Sequence, residues 1–362
     1  MGVISQNTTP MGGEEGPDAS RHASALGGQV DVLWQGPLQV LALDGGGAKA
    51  LFTAHVLAQL EEDLGVVIAD SFDLIAGTSA GGVIALALGA GLRPAEIVEH
   101  YEALIERVFP ASRRSWWRRT GQLFRPMYDA DALRDALAGV FGDLRVGDSR
   151  KRLVVPSWDV QRGGVHVFKT PHHGRLRRDW RHSMVDVANA TAAAPLYFPA
   201  ARVGGLRLID GGVWANNPSV IAIAEATSML GAEMADVRVL NIGTMEPDAS
   251  HSKKLDTAGL LGWARPAAST ILNASSRGGQ GIAEHLVGKQ RYFRFDARTP
   301  EGAFALDAVD RDDVVGLATS ASRTLSPTYQ QEFATHRAKE YAPAFPIPAR
   351  TGSPHANRPE VT

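Results

Sequence analysis

A strand-like apolar run, three consecutive glycines and a helical pattern follow one another in LALDGGGAKALF, residues 41–52. Glycine allows the tight backbone path that is needed where a strand turns directly into a helix. Backbone N–H groups at the start of a helix favour negative charge, so this turn predicts a cradle for an anion. An acyl-transfer oxyanion and a nucleotide phosphate are both candidates, although the segment lacks the G-x-G-x-x-G and G-x-x-x-x-G-K-[ST] spacings of nucleotide-binding loops.

Strand-like and helical runs alternate along most of the chain, which predicts an α/β fold with a mostly parallel sheet covered by helices. Strands are expected at LQVLAL, FDLIAG, RLVVPSWDV, VHVFKT, LRLID, VRVLNIG and YFRFDA. Helices are expected near residues 48–64, 80–88, 94–108, 131–140, 184–193, 218–230, 257–287 and 309–341.

The two ends of the chain differ in composition from its middle. Residues 1–36 are rich in Gly, Ser, Thr and Asn and are expected to form a flexible N-terminal arm. Residues 343–362 are polar and proline-rich and are expected to form a disordered tail, which leaves residues 37–342 as one domain. The sequence shows neither a secretory signal nor an apolar run long enough to span a bilayer, so a cytoplasmic protein is expected.

Charge and cysteine content exclude several classes of function. The 37 basic and 39 acidic residues give a net charge of -2, which provides no overall attraction to nucleic acid. The absence of cysteine excludes a cysteine nucleophile, thiolate metal sites and disulfides. The pair His172 and His173 has no third ligand at helical or turn spacing, so no metal site is expected.

The second predicted strand ends in GTSAG, residues 77–81, which matches the G-x-S-x-G pattern of a nucleophile elbow. Gly77 and Gly81 would allow the turn to close around Ser79, which would stand exposed at a helix N-terminus. The same letters also make a good helix N-cap, so the motif alone leaves an ordinary helix start as an alternative.

A serine nucleophile needs a base, and a carboxylate is the better candidate here. None of the eleven histidines lies in a convincing late strand-end loop. LRLIDGG places Asp210 at the end of an apolar strand, followed by Gly211 and Gly212. Apolar neighbours would raise the pKa of Asp210 and make it a usable proton acceptor. The alternative is a turn aspartate before two glycines.

These motifs give the opening glycines a role. Acyl transfer develops an oxyanion, which backbone amides stabilise without the crowding of side chains. Gly45, Gly46 and Gly47 are the candidate donors, and Lys49 adds a positive charge nearby.

Five blocks resemble the patatin-like phospholipases in their order and rough spacing: DGGGAK at 44–49, GTSAG at 77–81, AAAPLYFP at 192–199, DGG at 210–212 and NNP at 216–218. The resemblance implies a three-layer α/β/α fold and a lipid acyl hydrolase with a Ser-Asp dyad. Ser79 would be the nucleophile, Asp210 the base, and the amides around Gly45, Gly46 and Gly47 the oxyanion hole. No cofactor is required by this chemistry. Many members carry Arg where this chain has Lys49, which keeps the charge but lacks the bidentate geometry.

Within that family the chain is similar to the cyclic-nucleotide-activated phospholipase effectors of bacterial CBASS antiphage systems. The segments LIAGTSAGGVIALALGAG, VFKTPHHGRLRRDWR and DGGVWANNPSVIAIAEA carry this resemblance. It implies that a cyclic dinucleotide such as cyclic GMP-AMP activates phospholipid hydrolysis by a cytoplasmic protein that binds the inner membrane peripherally. An unregulated patatin-type hydrolase, an acyltransferase and a non-catalytic nucleotide-binding module stay open as alternatives.

Arginines and aromatic residues are mixed in RRSWWRRTGQLFRPMY, residues 113–128. Such a segment suits a lid or a phospholipid membrane contact. It equally suits stacking on a nucleobase, a contact between subunits of a homo-oligomer, or ordinary structure. A second set of candidates for nucleotide binding comprises Lys169, His172, His173, Arg175, Arg177 and Arg178.

Overall fold

A central eight-stranded sheet organises the chain in the computed structural model, which describes residues 33–110, 126–247, 257, 259, 266–300 and 303–348. Its strands are β1 (Leu38–Leu43), β2 (Leu74–Gly77), β3 (Arg152–Asp159), β4 (Gly164–Lys169), β5 (Ala201–Val203), β6 (Leu206–Asp210), β7 (Val237–Ile242) and β9 (Tyr292–Phe295). A separate parallel pair consists of β8 (Glu246–Pro247) and β10 (Arg298–Thr299).

The sheet is parallel on one side and antiparallel on the other. β1 lies parallel between β2 and β7, and β2–β3 and β7–β9 are also parallel pairs. β4 and β6 both run antiparallel to β3, and β5 runs antiparallel to β6. The predicted mostly parallel sheet is confirmed, with an antiparallel edge in addition.

β2 and β6 approach each other end to end along one edge of β3. β2 pairs with residues 152–154 of β3, and β6 pairs with residues 157–159. β4 already occupies the other edge of β3 over residues 154–159. β6 must therefore lie on the same edge as β2, and because the two strands run in opposite directions, their carboxyl ends meet.

Helices cover both faces of the sheet. They are α1 (Leu51–Leu64), α2 (Ala80–Ala90), α3 (Pro94–Val108), α4 (Ala130–Phe141), α5 (Met184–Thr191), α6 (Gly212–Ala215), α7 (Ser219–Ser228), α8 (Pro266–Val287) and α9 (Arg311–Glu332). Leu41 and Leu43 of β1 pack in one core with α1 to α5 and α9. Val40 and Ala42 face the opposite core with α7 and α8, as the period of a strand requires. The three layers agree with the predicted fold.

α2 is the most completely buried helix of the site region, with ten of its residues from Ala80 to Gly89 buried. A helix that is apolar on all sides belongs inside a protein, which accounts for the apolar stretch after Gly82. Among the described helices, none is both long and apolar enough to cross a membrane.

The last helix is shorter than predicted, since it ends at Glu332 and not at residue 341. Phe333 packs against the rings of Phe72 and Phe293 as the helix ends. The chain then crosses the start of β2, where the amide of Lys339 donates to Asp73 Oδ1 at 2.8 Å. The buried ring of Phe333 and the hydrogen bond to Asp73 thus stabilise a non-helical path where two further turns of helix were predicted.

Both predicted terminal segments include residues that contact the domain. The amide of Trp34 donates to the carbonyl of Leu230 at 3.2 Å, and the amide of Ala344 donates to that of Pro171 at 2.8 Å. The Arg152 guanidinium lies 5.2 Å from the Trp34 ring centroid. Residues 1–32, 349–362 and 111–125 lie outside the described residues, so the arm, the tail and most of the Arg/Trp segment stay predictions.

Candidate active site

Ser79 occupies the sharp turn between β2 and α2, with φ 54° and ψ −123°. A non-glycine residue in this region stores about 1–3 kcal/mol of strain, which the surrounding structure must hold. Gly77 and Gly81 make the turn sterically feasible, because a Cβ on Gly77 would overlap the carbonyl oxygen of Gly81. A Cβ on Gly81 would likewise overlap the carbonyl oxygen of Leu43. The sequence motif thus forms the strained elbow that its spacing predicts.

The meeting of β2 and β6 brings Ser79 to Asp210. The Ser79 hydroxyl donates to Asp210 Oδ2 at 2.6 Å. Ser79 is 8% exposed and Asp210 2% exposed, so the pair is almost completely shielded from water. Asp210 faces Ser157 of β3 in the strand register, three residues beyond Val154, the last β3 residue that pairs with β2.

Asp210 has the properties of a proton acceptor at neutral pH. Burial raises its pKa to about 6, against the opposing effect of hydrogen bonds from Ser79 and the Gly212 amide. The Gly212 amide donates to Oδ1 at 2.6 Å, which leaves Oδ2 for the serine hydroxyl. A Cβ on Gly211 would overlap the carbonyl oxygen of Pro156, so Gly211 is needed for the close approach of this loop to β3.

Thr191, at the end of α5, supports the nucleophile and was not identified from the sequence. Its hydroxyl accepts a hydrogen bond from the Ser79 amide at 2.9 Å and donates to the Pro156 carbonyl at 2.6 Å. The Ser79 amide is therefore engaged and does not point to a substrate. The one available signal was position, since Thr191 immediately precedes the AAAPLYFP block.

The glycine loop offers two of the three expected amides. The Gly45 amide donates to the Asn216 carbonyl at 3.0 Å, so the prediction that Gly45 supplies an oxyanion donor is corrected. Within the described residues, the amides of Gly46 and Gly47 donate to no protein group, and both glycines line the same cleft as Ser79. Gly47 has φ +56°, and a Cβ there would overlap the Leu306 carbonyl oxygen.

Lys49 follows the glycine loop, and its supporting role stays a prediction. It lies in the short 3₁₀ helix Gly47–Ala50, but it is not among the residues that line the Ser79 cleft. Burial lowers the pKa of its ammonium group, while Asp296, Glu246 and Asp44 act in the opposite direction. These nearby carboxylates favour the charged form of Lys49.

Asp44 anchors the start of the glycine loop. Its carboxylate accepts hydrogen bonds from Arg294 Nη1 at 2.9 Å, Ser276 Oγ at 2.7 Å and Asn241 Nδ2 at 2.7 Å. Arg294 also donates to Asp296 Oδ2 at 2.7 Å. A buried carboxylate with three donors is well compensated, so this network fixes where the glycines begin.

The cleft beside Ser79 is apolar and partly open to solvent. Its walls include Val83, Leu104, Phe109, Leu133, Phe198 and Leu272. Such walls suit an aliphatic chain rather than a charged group.

The described residues that flank segment 111–125 contact the walls of this cleft. Phe109 lines it, and the amides of Met127 and Tyr128 donate to the carbonyls of Leu196 and Tyr197 at 3.0 and 2.9 Å. The described residues that flank segment 111–125 therefore lie at, or bond to, the wall of the cleft that also contains Ser79.

The second basic cluster is partly committed to internal contacts. His172 is fully buried, and its Nε2 lies 2.9 Å from Glu225 Oε1. Lys169 forms an ion pair with the same glutamate. The Arg177 guanidinium lies 4.9 Å from the Phe345 ring centroid. At least His172 and Lys169 thus have structural roles.

A serine on a strained strand-to-helix turn, a buried carboxylate within hydrogen-bond distance and glycines with unengaged amides at the same cleft are the arrangement of a serine acyl hydrolase. Residues 41–223 match the family model described as patatin-like phospholipase. The chain belongs to the patatin-like phospholipase family, which confirms the family prediction.

Curated relatives share most of the chain. It is 36% identical over 334 residues to a cGAMP-activated phospholipase of Pseudomonas aeruginosa, covering 89% of this chain and 97% of that protein. It is 31% identical over 343 residues to a cGAMP-activated phospholipase of Vibrio cholerae, covering 86% and 96%. A cUMP-AMP-activated phospholipase of Escherichia coli is 33% identical over 219 residues, covering 57% and 64%.

Proposed function

We propose that this protein hydrolyses acyl esters of membrane phospholipids with Ser79 as nucleophile and Asp210 as general base. The observation that carries the proposal is the 2.6 Å hydrogen bond from Ser79 Oγ to Asp210 Oδ2 at the floor of an apolar cleft. Membership of the patatin-like phospholipase family supports the same reaction class.

In the acylation step, Ser79 Oγ attacks the ester carbonyl carbon while its proton passes to Asp210 Oδ2. The carbonyl oxygen becomes an oxyanion, which the amides of Gly46 and Gly47 stabilise. When the tetrahedral intermediate collapses, the bond to the leaving alcohol breaks and that oxygen takes the proton from Asp210. The products are the free lysophospholipid and an acyl ester on Ser79.

Deacylation repeats these roles with water as the nucleophile. Asp210 accepts a proton from water, the hydroxide oxygen attacks the acyl carbon, and Ser79 leaves with the proton returned by Asp210. A pKa of about 6 makes Asp210 more basic than an exposed aspartate, and because it is still below 7 the carboxylate stays mostly ionised at neutral pH.

We further propose that a cyclic dinucleotide of the cyclic GMP-AMP type activates the enzyme in antiphage defence. The support is similarity over 89% and 86% of this chain to two relatives named cGAMP-activated phospholipase. The enzyme would act from the cytoplasm at the surface of the inner membrane, where its substrate lies.

The test is fatty-acid release from phospholipid vesicles, measured with cyclic GMP-AMP, cyclic UMP-AMP and no nucleotide, for the wild type and Ser79→Ala. Strong release by the wild type with one nucleotide, and none by Ser79→Ala, is expected. Full activity in Ser79→Ala would refute the dyad. Equal release without nucleotide would favour an unregulated patatin-type hydrolase, and transfer to an added acyl carrier would favour an acyltransferase.

A further inference from the structure

The carbonyl of Gly45 is held by two side chains from different parts of the chain. It accepts a hydrogen bond from Thr244 Oγ1 at 3.1 Å, in the loop after β7. It accepts a second from Asn216 Nδ2 at 3.2 Å, directly after α6. Both donors are buried, with Thr244 7% and Asn216 6% exposed, so neither bond is readily exchanged for water.

The position of this carbonyl determines the direction of the next amide. The described residues contain no cis peptide bond, so the Gly45–Gly46 peptide is planar and trans. In a trans peptide the C=O and the following N–H point in opposite directions. With the Gly45 carbonyl directed to Thr244 and Asn216, the Gly46 amide points to the other side. Gly46 lines the cleft together with Ser79, which is where an oxyanion would form.

Asn216 also holds the preceding peptide, because its backbone carbonyl accepts the Gly45 amide at 3.0 Å. The two peptide units that flank Gly45 are thus both fixed. Asn216 is itself fixed by its amide, which donates to Ser275 Oγ at 2.9 Å. Asn216 lies six residues after Asp210, at the end of α6, so this short segment both carries the base and orients the oxyanion donor.

Glycine makes this restraint necessary. A run of three glycines has access to more backbone conformations than any other three residues. Without side-chain partners its amides would therefore not be held in one direction. A buried carbonyl without a donor would also be unfavourable, and the peptide could rotate to find one.

We propose that Asn216 and Thr244 are positioning residues of the oxyanion hole, which act on the transition state through the Gly45–Gly46 peptide. The proposal rests on the proposed hydrolase function. It assigns to Asn216 and Thr244 an effect on kcat rather than on binding of the lipid, because the ground-state ester does not need the oxyanion donor.

The experiment compares Thr244→Val, Thr244→Ser, Asn216→Ala and the double variant Thr244→Val with Asn216→Ala, using vesicle hydrolysis at the best nucleotide condition of the wild type. Valine matches threonine in shape but lacks the hydroxyl, whereas serine retains it. Each rate is divided by the fraction of enzyme whose Ser79 reacts with a fluorophosphonate when labelling is complete. This corrects the rates for enzyme that has misfolded.

Thr244→Val and Asn216→Ala should each lower kcat roughly 10- to 100-fold with KM changed less than about twofold, since small misplacement of a catalytic group has effects of this size. Thr244→Ser should stay within about threefold of the wild type, and the double variant should fall below either single one. Affinity for a long-chain trifluoromethyl ketone, which forms an oxyanion adduct with Ser79, should fall with kcat/KM. Affinity for an ether-linked phospholipid should not change.

Equal losses in Thr244→Ser and Thr244→Val, or unchanged trifluoromethyl ketone affinity in Asn216→Ala and Thr244→Val, would overturn the positioning role. The Ser79→Ala control separates this from failure of the hydrolase proposal. Activity in Ser79→Ala refutes the dyad itself, whereas an inactive Ser79→Ala with fully active Thr244→Val and Asn216→Ala refutes only the positioning of Gly46.

Discussion

Replacing Asp210 by asparagine should abolish hydrolysis and at the same time stabilise the fold. Asparagine has the shape of aspartate, and its amide can still bond to Ser79 and to the Gly212 amide. It cannot accept the proton of Ser79, so acylation stops. The substitution removes a negative charge from a side chain that is only 2% exposed in the folded state.

The size of the stabilisation follows from the pKa of Asp210. Folding raises this pKa from 3.8 to about 6, a difference of about 2 units, because burial disfavours the carboxylate. Each unit corresponds to about 1.4 kcal/mol, so ionised Asp210 costs the folded state about 3 kcal/mol at neutral pH. Because folding raises the pKa of this acid, the protonated side chain favours the folded state. This favourable contribution to the unfolding free energy is complete below pH 3.8 and is lost as the pH rises through 6.

The measurement is urea unfolding of the wild type and Asp210→Asn from pH 4 to pH 8. The difference in unfolding free energy should grow by up to about 1.4 kcal/mol per pH unit between pH 4 and 6 and then level off near about 3 kcal/mol. A difference that does not change with pH, or a variant less stable than the wild type at pH 7, would refute the assignment of Asp210 as a buried carboxylate of raised pKa.

Two further outcomes are expected. The value of kcat/KM should fall on the acid side with an apparent pKa near 6, because Asp210 must be ionised, and a pH–rate profile that stays flat down to pH 5 would contradict this. Gly77→Ala should destabilise the protein by about 1–3 kcal/mol and impair fluorophosphonate labelling of Ser79, because its Cβ overlaps the Gly81 carbonyl. The matched control is Gly139→Ala on α4, where an added Cβ meets open space, and it should stabilise the protein by up to about 1 kcal/mol in urea unfolding. Equal effects of both changes would contradict the crowding at the elbow.

Features encoded within a few neighbouring residues were predictable from the sequence. The turn around Ser79 depends on Gly77 and Gly81, two positions before and after it, so the motif and the observed elbow coincide. The strand that ends at Asp210 was equally visible, because its apolar run and the glycines that follow are contiguous. The alternation of strands and helices likewise predicted the layers of the fold.

Features that depend on distant partners were not predictable. Whether the Gly45 amide is available depends on the carbonyl of Asn216, and nothing near Gly45 shows that this contact forms. Thr191 and Arg294 are common residue types in ordinary contexts, and only the folded chain places them against Ser79 and Asp44. The end of α9 was missed for the same reason, since the packing of Phe333 against Phe72 decides it.

The contacts that complete the active site join parts of the chain that are made at very different times. Ser79 and Asp210 are 131 residues apart, and Asp44 and Arg294 are 250 residues apart. Because a protein leaves the ribosome from its N-terminus, the nucleophile emerges long before the base and the partner of Asp44. A growing chain, or one that ends before residue 210, therefore carries Ser79 without Asp210. Such an unfinished copy of the chain lacks the Ser79–Asp210 pair that the proposed hydrolysis requires.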